Sequence, residues 1–352
     1  MHDIKIGIIG IGGAGRAHAY RFLRHKSVAR VIGYDIKEID FSKIEIIKSF
    51  DEFISSVDAV SICTPDYCHY EYIKKCILNN KHVLVEKPMV ANFKEAVALN
   101  EILQNNLHVK FAIHHQMRFV PAFNKAKELI KNGELGDLFY VEANYWHDMR
   151  IRNTLFDDWR IKGKGQSVIF GGACHPLDLI LYLINEEVID HKTFLSKNSY
   201  KEFPLNYTSA TTILKFKSNV IAKCHTNNSV IFPQFNNLIV LGDKGSFIDG
   251  ILYKNNKFIN VAQYFNRIAN YRYRQYINSK LINLALHFLT KHHLFRSSPF
   301  SIYNHEYACQ VIIDNFVNAI VKDERVLVGY EDGCKVVKLC EETEAEGLGY
   351  EA

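Results

Sequence analysis

Two residues in this chain of 352 stand in short motifs whose residue types suit proton transfer. Lys87 ends an apolar run in Glu86-Lys87-Pro88, and His175 stands in Gly171-Gly172-Ala173-Cys174-His175-Pro176-Leu177-Asp178. A lysine beside a reacting oxygen and a histidine that takes or returns its proton are the parts of acid–base chemistry on an alcohol or ketone. His175 and Asp178 are three apart, which on a helix puts both on one face. Proline is tolerated in a helix only in the first turn, so Pro176 predicts a helix starting near Gly171. His175 then sits at the helix mouth, where unpaired N–H groups concentrate positive charge. Alone, such a histidine reads more readily as part of a helix end and its core.

The rest of the chain supplies the elements that must position both residues. The run Ile4–Ile9 is a buried parallel-strand type, followed directly by Gly10-Ile11-Gly12-Gly13-Ala14-Gly15. A helical pattern and a strand over 29–34 follow, ending in Asp35. Strand, G-x-G-x-x-G, helix, strand and a terminal acid about 20 residues on form the dinucleotide-binding context. Gly10 permits the turn, Gly12 lets the backbone approach a pyrophosphate, and Gly15 lets helix and strand pack closely, while the helix N-terminus supplies N–H groups to the phosphates. The Asp35 carboxylate takes ribose hydroxyls and repels a 2′-phosphate, so NAD is expected over NADP, although Lys37 leaves room for NADP. Strands over 58–63, His82–Val85 and 109–113 alternate with helices over 67–79 and Phe93–Gln104. That pattern predicts a doubly wound parallel sheet, with ligands at the carboxyl ends of strands, where Thr64-Pro65 and Glu86-Lys87-Pro88 fall.

The combination of Gly10-x-Gly12-x-x-Gly15, Cys63-Thr64-Pro65 with His69 four residues after the proline, Glu86-Lys87-Pro88 and His175-x-x-Asp178 resembles the Gfo/Idh/MocA oxidoreductases over nearly the whole chain. The resemblance implies a Rossmann domain followed by a C-terminal α/β domain on an open, largely antiparallel sheet. It implies hydride transfer between nicotinamide and a hydroxyl or keto group of a sugar, inositol or nucleotide sugar. By position, Lys87 is the lysine beside the nicotinamide and the reacting oxygen, and His175 is the acid/base. Thr64, Pro65, His69, Glu86 and Lys87 join the glycine loop and Asp35 as cofactor-side residues. Many members place an Asp four residues before the histidine; here that position is Gly171. The family also contains a repressor and NAD-using glycosidases, so a non-redox or non-catalytic NAD-binding protein is the alternative.

The first domain is expected over 1–119 and a substrate-binding and oligomerisation domain over 120–352. Arg118 precedes a helix closed by Asn132-Gly133. Strands follow at Leu138–Trp146, Ser209–Phe216, 220–226, 238–241 and 247–251, then helices at 305–320 and 332–344. An open face carrying Phe216, Val220 and Ile239 predicts a homodimer or homotetramer. Arg118, Trp159, Arg160 and Asp178 are candidate substrate contacts, and the middle two with the loop 162–166 read equally as a substrate lid or as a surface connection. The stretch 264–300 is basic and aromatic and reads either as a packed helix with a solvated edge or as a helix that touches a membrane surface or a partner. The chain is 48% hydrophobic with net charge +5. Its basic residues are spread out, which argues against nucleic acid, and no apolar run reaches membrane-spanning length. Eight cysteines without C-x-x-C spacing indicate no metal site and no disulfide framework, and read as buried thiols in a cytoplasmic protein.

Overall fold

The computed structural model describes residues 3–147, 167–197, 207–230, 235–255, 257–260 and 300–349. Trp159, Arg160, the loop 162–166 and nearly all of 264–300 lie outside the described residues. The first part of the chain alternates β1 (Ile4–Ile9), α1 (Gly13–Phe22), β2 (Val28–Tyr34), β3 (Glu45–Ile46), α2 (Phe50–Ser55), β4 (Ala59–Ile62), α3 (His69–Leu78), β5 (His82–Val85), α4 (Phe93–Gln104) and β6 (Phe111–Ile113). The strands are parallel and ordered β3-β2-β1-β4-β5-β6. This is the doubly wound sheet expected from apolar runs alternating with helices. Local chemistry sets the helix bounds. Asn92 accepts the Glu95 amide at 2.9 Å to open α4, and Glu95 returns a carboxylate oxygen to the Ala91 amide at 3.2 Å.

The second part holds α5 (Pro121–Lys131), β7 (Leu138–Trp146), α6 (Cys174–Ile184), β8 (Val188–Ser196), β9 (Ser209–Phe216), β10 (Ile221–Asn227), β11 (Phe235–Gly242), β12 (Ser246–Ile248), β13 (Ile251–Lys254), β14 (Lys257–Asn260), α7 (Phe300–Val321) and α8 (Tyr330–Gly349). Its eight strands run β14-β13-β12-β11-β7-β10-β9-β8, antiparallel except for the β7–β10 pair. The strand expected over 247–251 is two strands, because Asp249 and Gly250 adopt positive φ (47° and 89°) and turn the chain.

The pleat sorts the residues of this sheet. Val141, Ala143, Leu214, Phe216, Ala222, Cys224, Leu238 and Val240 are buried in the core that α6 and α8 share. Tyr140, Glu142, Ile213, Ile221, Lys223 and Ile239 on alternate positions are half-buried. Of the three apolar residues expected on the open face, Phe216 and Val220 are therefore already covered, and only Ile239 lies on it. The two sheets fall on either side of residues 119 and 120, but α7 departs from the expected division. Its Ile312, Ile313, Phe316 and Val317 pack with Ile4, Ile6, Ile8 and Phe22 of the first domain. α8 wedges between the domains: a Cβ on Gly333 would lie 2.3 Å from Ile113 Cδ1 and 2.9 Å from Met89 Sδ. The turn after Lys87 is thus packed against an element from the end of the chain. All eight cysteines are free, but Cys63, Cys68 and Cys334 are only half-buried.

Candidate active site

The glycine loop folds as its chemistry demands. Gly10 sits at φ +88°, and a Cβ on Gly15 would lie 1.9 Å from the Gly10 carbonyl oxygen, so neither position admits a side chain. A Cβ on Gly12 or Gly13 would meet nothing within 4 Å. The start of α1 has no side-chain cap and no acid in its first turn, leaving its N–H groups facing that open space, with Ile11 and Ala14 completing the loop. Across the loop, at the end of β4, the Thr64 hydroxyl is buried without a partner. An unfilled donor set at a helix N-terminus, facing an orphaned hydroxyl, fits a dinucleotide pyrophosphate. Asp35 closes the cradle: its Oδ2 accepts the Ile11 amide at 2.7 Å and its Oδ1 the Lys37 amide at 2.9 Å. Each oxygen keeps a further lone pair for a ribose hydroxyl.

Two turns at the ends of β4 and β5 are fastened together beside this cradle. His69 bridges the carbonyls of Thr64 (Nε2, 3.0 Å) and Pro88 (Nδ1, 2.9 Å). Both of its ring nitrogens are spent on the turns that carry Thr64-Pro65 and Lys87-Pro88. Glu86 is likewise engaged inside the protein, with one oxygen at His18 and His114 and the other on the Lys87 amide. Among the described residues, His18, Glu86 and His114 are also the one group of three possible metal ligands whose ligand atoms lie within 4.8 Å of one another.

Lys87 meets the helical segment that leads into His175. Lys87 Nζ donates to the Gly171 carbonyl at 2.9 Å. The helix expected to begin near Gly171 in fact begins at 168 and passes through a π-turn at Ile169–Ala173 before α6. Pro176 is therefore not in a first turn. Lacking an N–H, it donates to no carbonyl one turn back, and the widened π-turn accommodates it. His175 thus lies within a continuous helix rather than at its mouth. The widened turn presents the Gly171 carbonyl to Lys87 at the position where a family carboxylate is expected.

His175 is 2% exposed, stacked on Tyr145 (ring centroids 4.7 Å apart, planes 24° apart), and its Nδ1 is buried without a partner. Burial, then the Lys87 ammonium and His115, hold its pKa well below the ordinary histidine range. His175 is thus neutral and able to accept a proton. Arg118 and Asp178, proposed from sequence as substrate contacts, are spent on each other. The guanidinium makes three bonds to the Asp178 carboxylate (2.6, 2.9 and 3.1 Å) and one to Asp332 (2.8 Å), and lies over the Tyr182 ring. Both are buried, so neither is a surface charge; together they brace the helix that carries His175.

Sequence reasoning did not single out His18, His114, His115 or Tyr145. His115 is buried, with both ring nitrogens unpartnered and Nδ1 3.9 Å from Asp178 Oδ2. The run His114-His115 just after a parallel strand was the available signal, since strand ends of such sheets face the ligand.

Residues 4–114 match the oxidoreductase family with NAD-binding Rossmann fold, and residues 123–248 match the GFO/IDH/MocA C-terminal domain. Glucose-6-phosphate 3-dehydrogenase of Bacillus subtilis is 31% identical over 204 residues, 55% of this chain and 58% of that protein. UDP-N-acetylglucosamine 3-dehydrogenase of Acidithiobacillus ferrooxidans is 29% identical over 194 residues, 54% of this chain and 57% of the relative. 2,7-Anhydro-N-acetylneuraminate hydratase of Escherichia coli is 28% identical over 259 residues, 69% of this chain and 66% of the relative. The chain thus spans between about half and two thirds of the length of these relatives. The structure of scyllo-inositol dehydrogenase from Lactobacillus casei with bound NAD(H) and scyllo-inositol shares the fold, with a TM-score of 0.77 at 16% identity, over 99% of this chain and 97% of that one. With both domains matched over more than half of the sequence, the chain belongs to the Gfo/Idh/MocA oxidoreductase family.

Proposed function

We propose that this protein is an NAD(H)-dependent oxidoreductase acting on a secondary hydroxyl or keto group of a sugar, inositol or nucleotide sugar. The observation that carries the reading is the meeting of Lys87, from the cofactor-side sheet, with the His175-bearing helix through the Gly171 carbonyl. Gly10, Ile11, Gly12, Gly13, Ala14, Gly15 and Thr64 hold the dinucleotide, Asp35 its ribose, and Pro65, His69 and Glu86 shape the turns beside it. When bound, the nicotinamide accepts or returns the hydride. Lys87 keeps two ammonium N–H groups to orient the reacting oxygen. His175, held neutral, takes that oxygen's proton during oxidation and returns it during reduction. Asp178 and Arg118 keep the histidine helix in place, and Trp159 and Arg160 contribute to the substrate side. Relatives whose names include a sugar phosphate 3-dehydrogenase and a nucleotide-sugar 3-dehydrogenase support the substrate class. Eight free thiols suit a reducing, cytoplasmic setting.

The deciding experiment follows absorbance at 340 nm while purified protein and NAD are presented with sugars, inositols, sugar phosphates and nucleotide sugars. NADH accumulation with one of them supports the reading. A second reading, chemistry without net redox change, draws on the hydratase relative and on the missing carboxylate at Gly171. It predicts substrate turnover with no net NADH. For the cofactor, NADH is expected to bind more tightly than NADPH, and Asp35→Ser to narrow the gap by removing the repulsion toward a 2′-phosphate. Equal affinities in fluorescence titrations of the unmodified protein would remove the NAD assignment.

A further inference from the structure

A second cluster of titratable groups lies behind Lys87. Glu86 Oε1 is 3.0 Å from His18 Nε2 and 3.1 Å from His114 Nδ1, while Glu86 Oε2 accepts the Lys87 amide at 3.1 Å. His18 Nδ1 is in turn 2.8 Å from Ser61 Oγ, and the two imidazoles pack with centroids 4.4 Å apart. The three residues come from α1, from the end of β5 and from the end of β6. His18 stands three residues beyond Gly15, on the helix whose N-terminus forms the dinucleotide cradle. Lys87 is therefore held at both ends, by Glu86 at its main chain and by the Gly171 carbonyl at its ammonium.

We propose that Glu86, paired with His18, is a positioning residue for Lys87, and that the pair ties the lysine's main chain to the cradle helix so that seating the dinucleotide also sets the lysine. The charges fit a single shared proton. Burial opposes a charge on His18, yet Cys63 and Glu86 raise its pKa to about 10. Burial lowers His114 to about 4 against the pull of Glu86, with the positive charges of His18 and Arg21 adding to the fall. Burial would raise Glu86, but the two histidines overcome it and hold the carboxyl well below its usual range. At neutral pH the cluster is thus a protonated His18, an ionised Glu86 and a neutral His114. Stability gives a weak reason for such a pair, since a well-packed apolar replacement of a buried ion pair is often no less stable. A directed bond to the one amide that carries the lysine gives a specific reason.

The test uses amide exchange and NADH binding, so it does not depend on the unknown substrate; only its NADH arm rests on the proposed function. In the full chain the Lys87 amide, followed by NMR, is expected to exchange roughly tenfold faster in Glu86→Gln and in His18→Asn, as for the loss of one charge-assisted hydrogen bond. The Val85 amide, inside β5, is expected to stay as protected as before, which separates loss of the tether from general loosening. At saturating concentration NADH is expected to slow Lys87 exchange in the unmodified protein and in Glu86→Asp, and to lose that effect in Glu86→Gln. Unchanged Lys87 exchange in both variants would overturn the proposal, as would a stoichiometric tightly bound zinc or iron ion that displaces the His18 proton, detected by elemental analysis and by histidine ¹⁵N shifts. If the unmodified protein does not bind NADH, the cofactor reading fails, and the exchange comparison without ligand still decides the positioning role. Should Glu86→Gln not fold, His18→Asn carries the same comparison.

Discussion

At the scale of single residues, the site is defined by which buried groups keep a hydrogen bond and which lack one. Lys87 keeps ammonium N–H groups and His175 a buried Nδ1 without a partner, whereas Arg118, Asp178, His69 and Glu86 are engaged by protein partners. Lys87→Ala and His175→Ala are expected to lower kcat roughly 10²–10⁴-fold, the scale of losing positioned acid–base help, with NADH affinity little changed for His175→Ala. Wild-type kcat/KM in His175→Ala would remove the histidine from the chemistry. Gly171→Asp is the sharper variant. If the main-chain carbonyl already holds Lys87 as a carboxylate would, the added side chain leaves turnover unchanged or improves it; if the space at Gly171 belongs to substrate, KM rises while the melting temperature stays put. The buried histidines also set a pH dependence of stability. Unfolded histidines take up protons near 6.5, but His114 does so in the fold only near 4, and burial likewise lowers His115 and His175. Below about 6.5 the unfolded chain therefore binds more protons than the native one, and stability falls as pH drops toward 4, by about 3 kcal/mol for a group shifted like His114. His18 acts in the opposite sense. Its raised pKa adds stability that is complete below 6.5 and is lost as pH rises through about 10. Calorimetry between pH 4 and 10 is expected to show the melting temperature dropping at both ends, and a flat acid limb would contradict the neutral assignment of the buried histidines.

At the scale of elements, legibility followed how local the determining physics was. The helix Phe93–Gln104 was readable to its last residue because its start is capped locally by Asn92 and Glu95. The helix Pro121–Lys131 was equally clear, with proline at its first position and Asn132-Gly133 closing it. The start of the His175 helix was misread because the proline rule assumes α-helical pairing, and the π-turn at Ile169–Ala173 relaxes it. That turn is fixed by tertiary contact: a Cβ on Gly172 would lie 2.4 Å from Thr226 Oγ1 on β10. No local pattern encodes such a neighbour. β8 escaped notice because it is an edge strand whose residue types, Val-Ile-Asp-His-Lys-Thr-Phe-Leu-Ser, do not alternate between apolar and polar. The roles of Arg118 and Asp178 were half legible, since their distance of 60 residues in sequence hides the pairing that joins the domains. Arg118→Leu is expected to cost roughly 3–5 kcal/mol by leaving the Asp178 carboxylate buried and unpaired, whereas Arg118→Leu with Asp178→Leu recovers most of it. Denaturant titration of the two single variants and the double variant checks this, and additive losses would show that the pair is not a coupled support.

At the scale of the whole molecule, the division of labour between the two sheets leaves one surface to account for. α6 and α8 cover one face of the eight-stranded sheet; the other face has no cover among the described residues. That uncovered face is mixed. Ile213, Ile221, Ile239 and Tyr140 alternate with a polar group in which Glu142 accepts from Tyr140 at 2.7 Å, Asn144 at 2.8 Å and Lys223 at 3.0 Å. Phe194 on the edge strand β8 is more than half exposed, at 58%. A wide pleated surface with isoleucines on several strands is costly to leave in water, and a second copy with the same surface can cover it through two-fold symmetry. The polar group at Glu142 is hydrogen-bonded within one chain, so covering it would leave none of these bonds broken. We therefore expect a homodimer or a homotetramer. Light scattering at micromolar concentration should give a mass at least twice the chain's 40.6 kDa. Ile213→Lys with Ile239→Lys places one new charge opposite Lys223 and the other opposite Glu142, without touching the core behind the sheet, and is expected to shift the protein toward the single chain while leaving NADH affinity unchanged. A mass of one chain in the unmodified protein would show that this face is covered in some other way, and the double lysine variant would then have no effect on size.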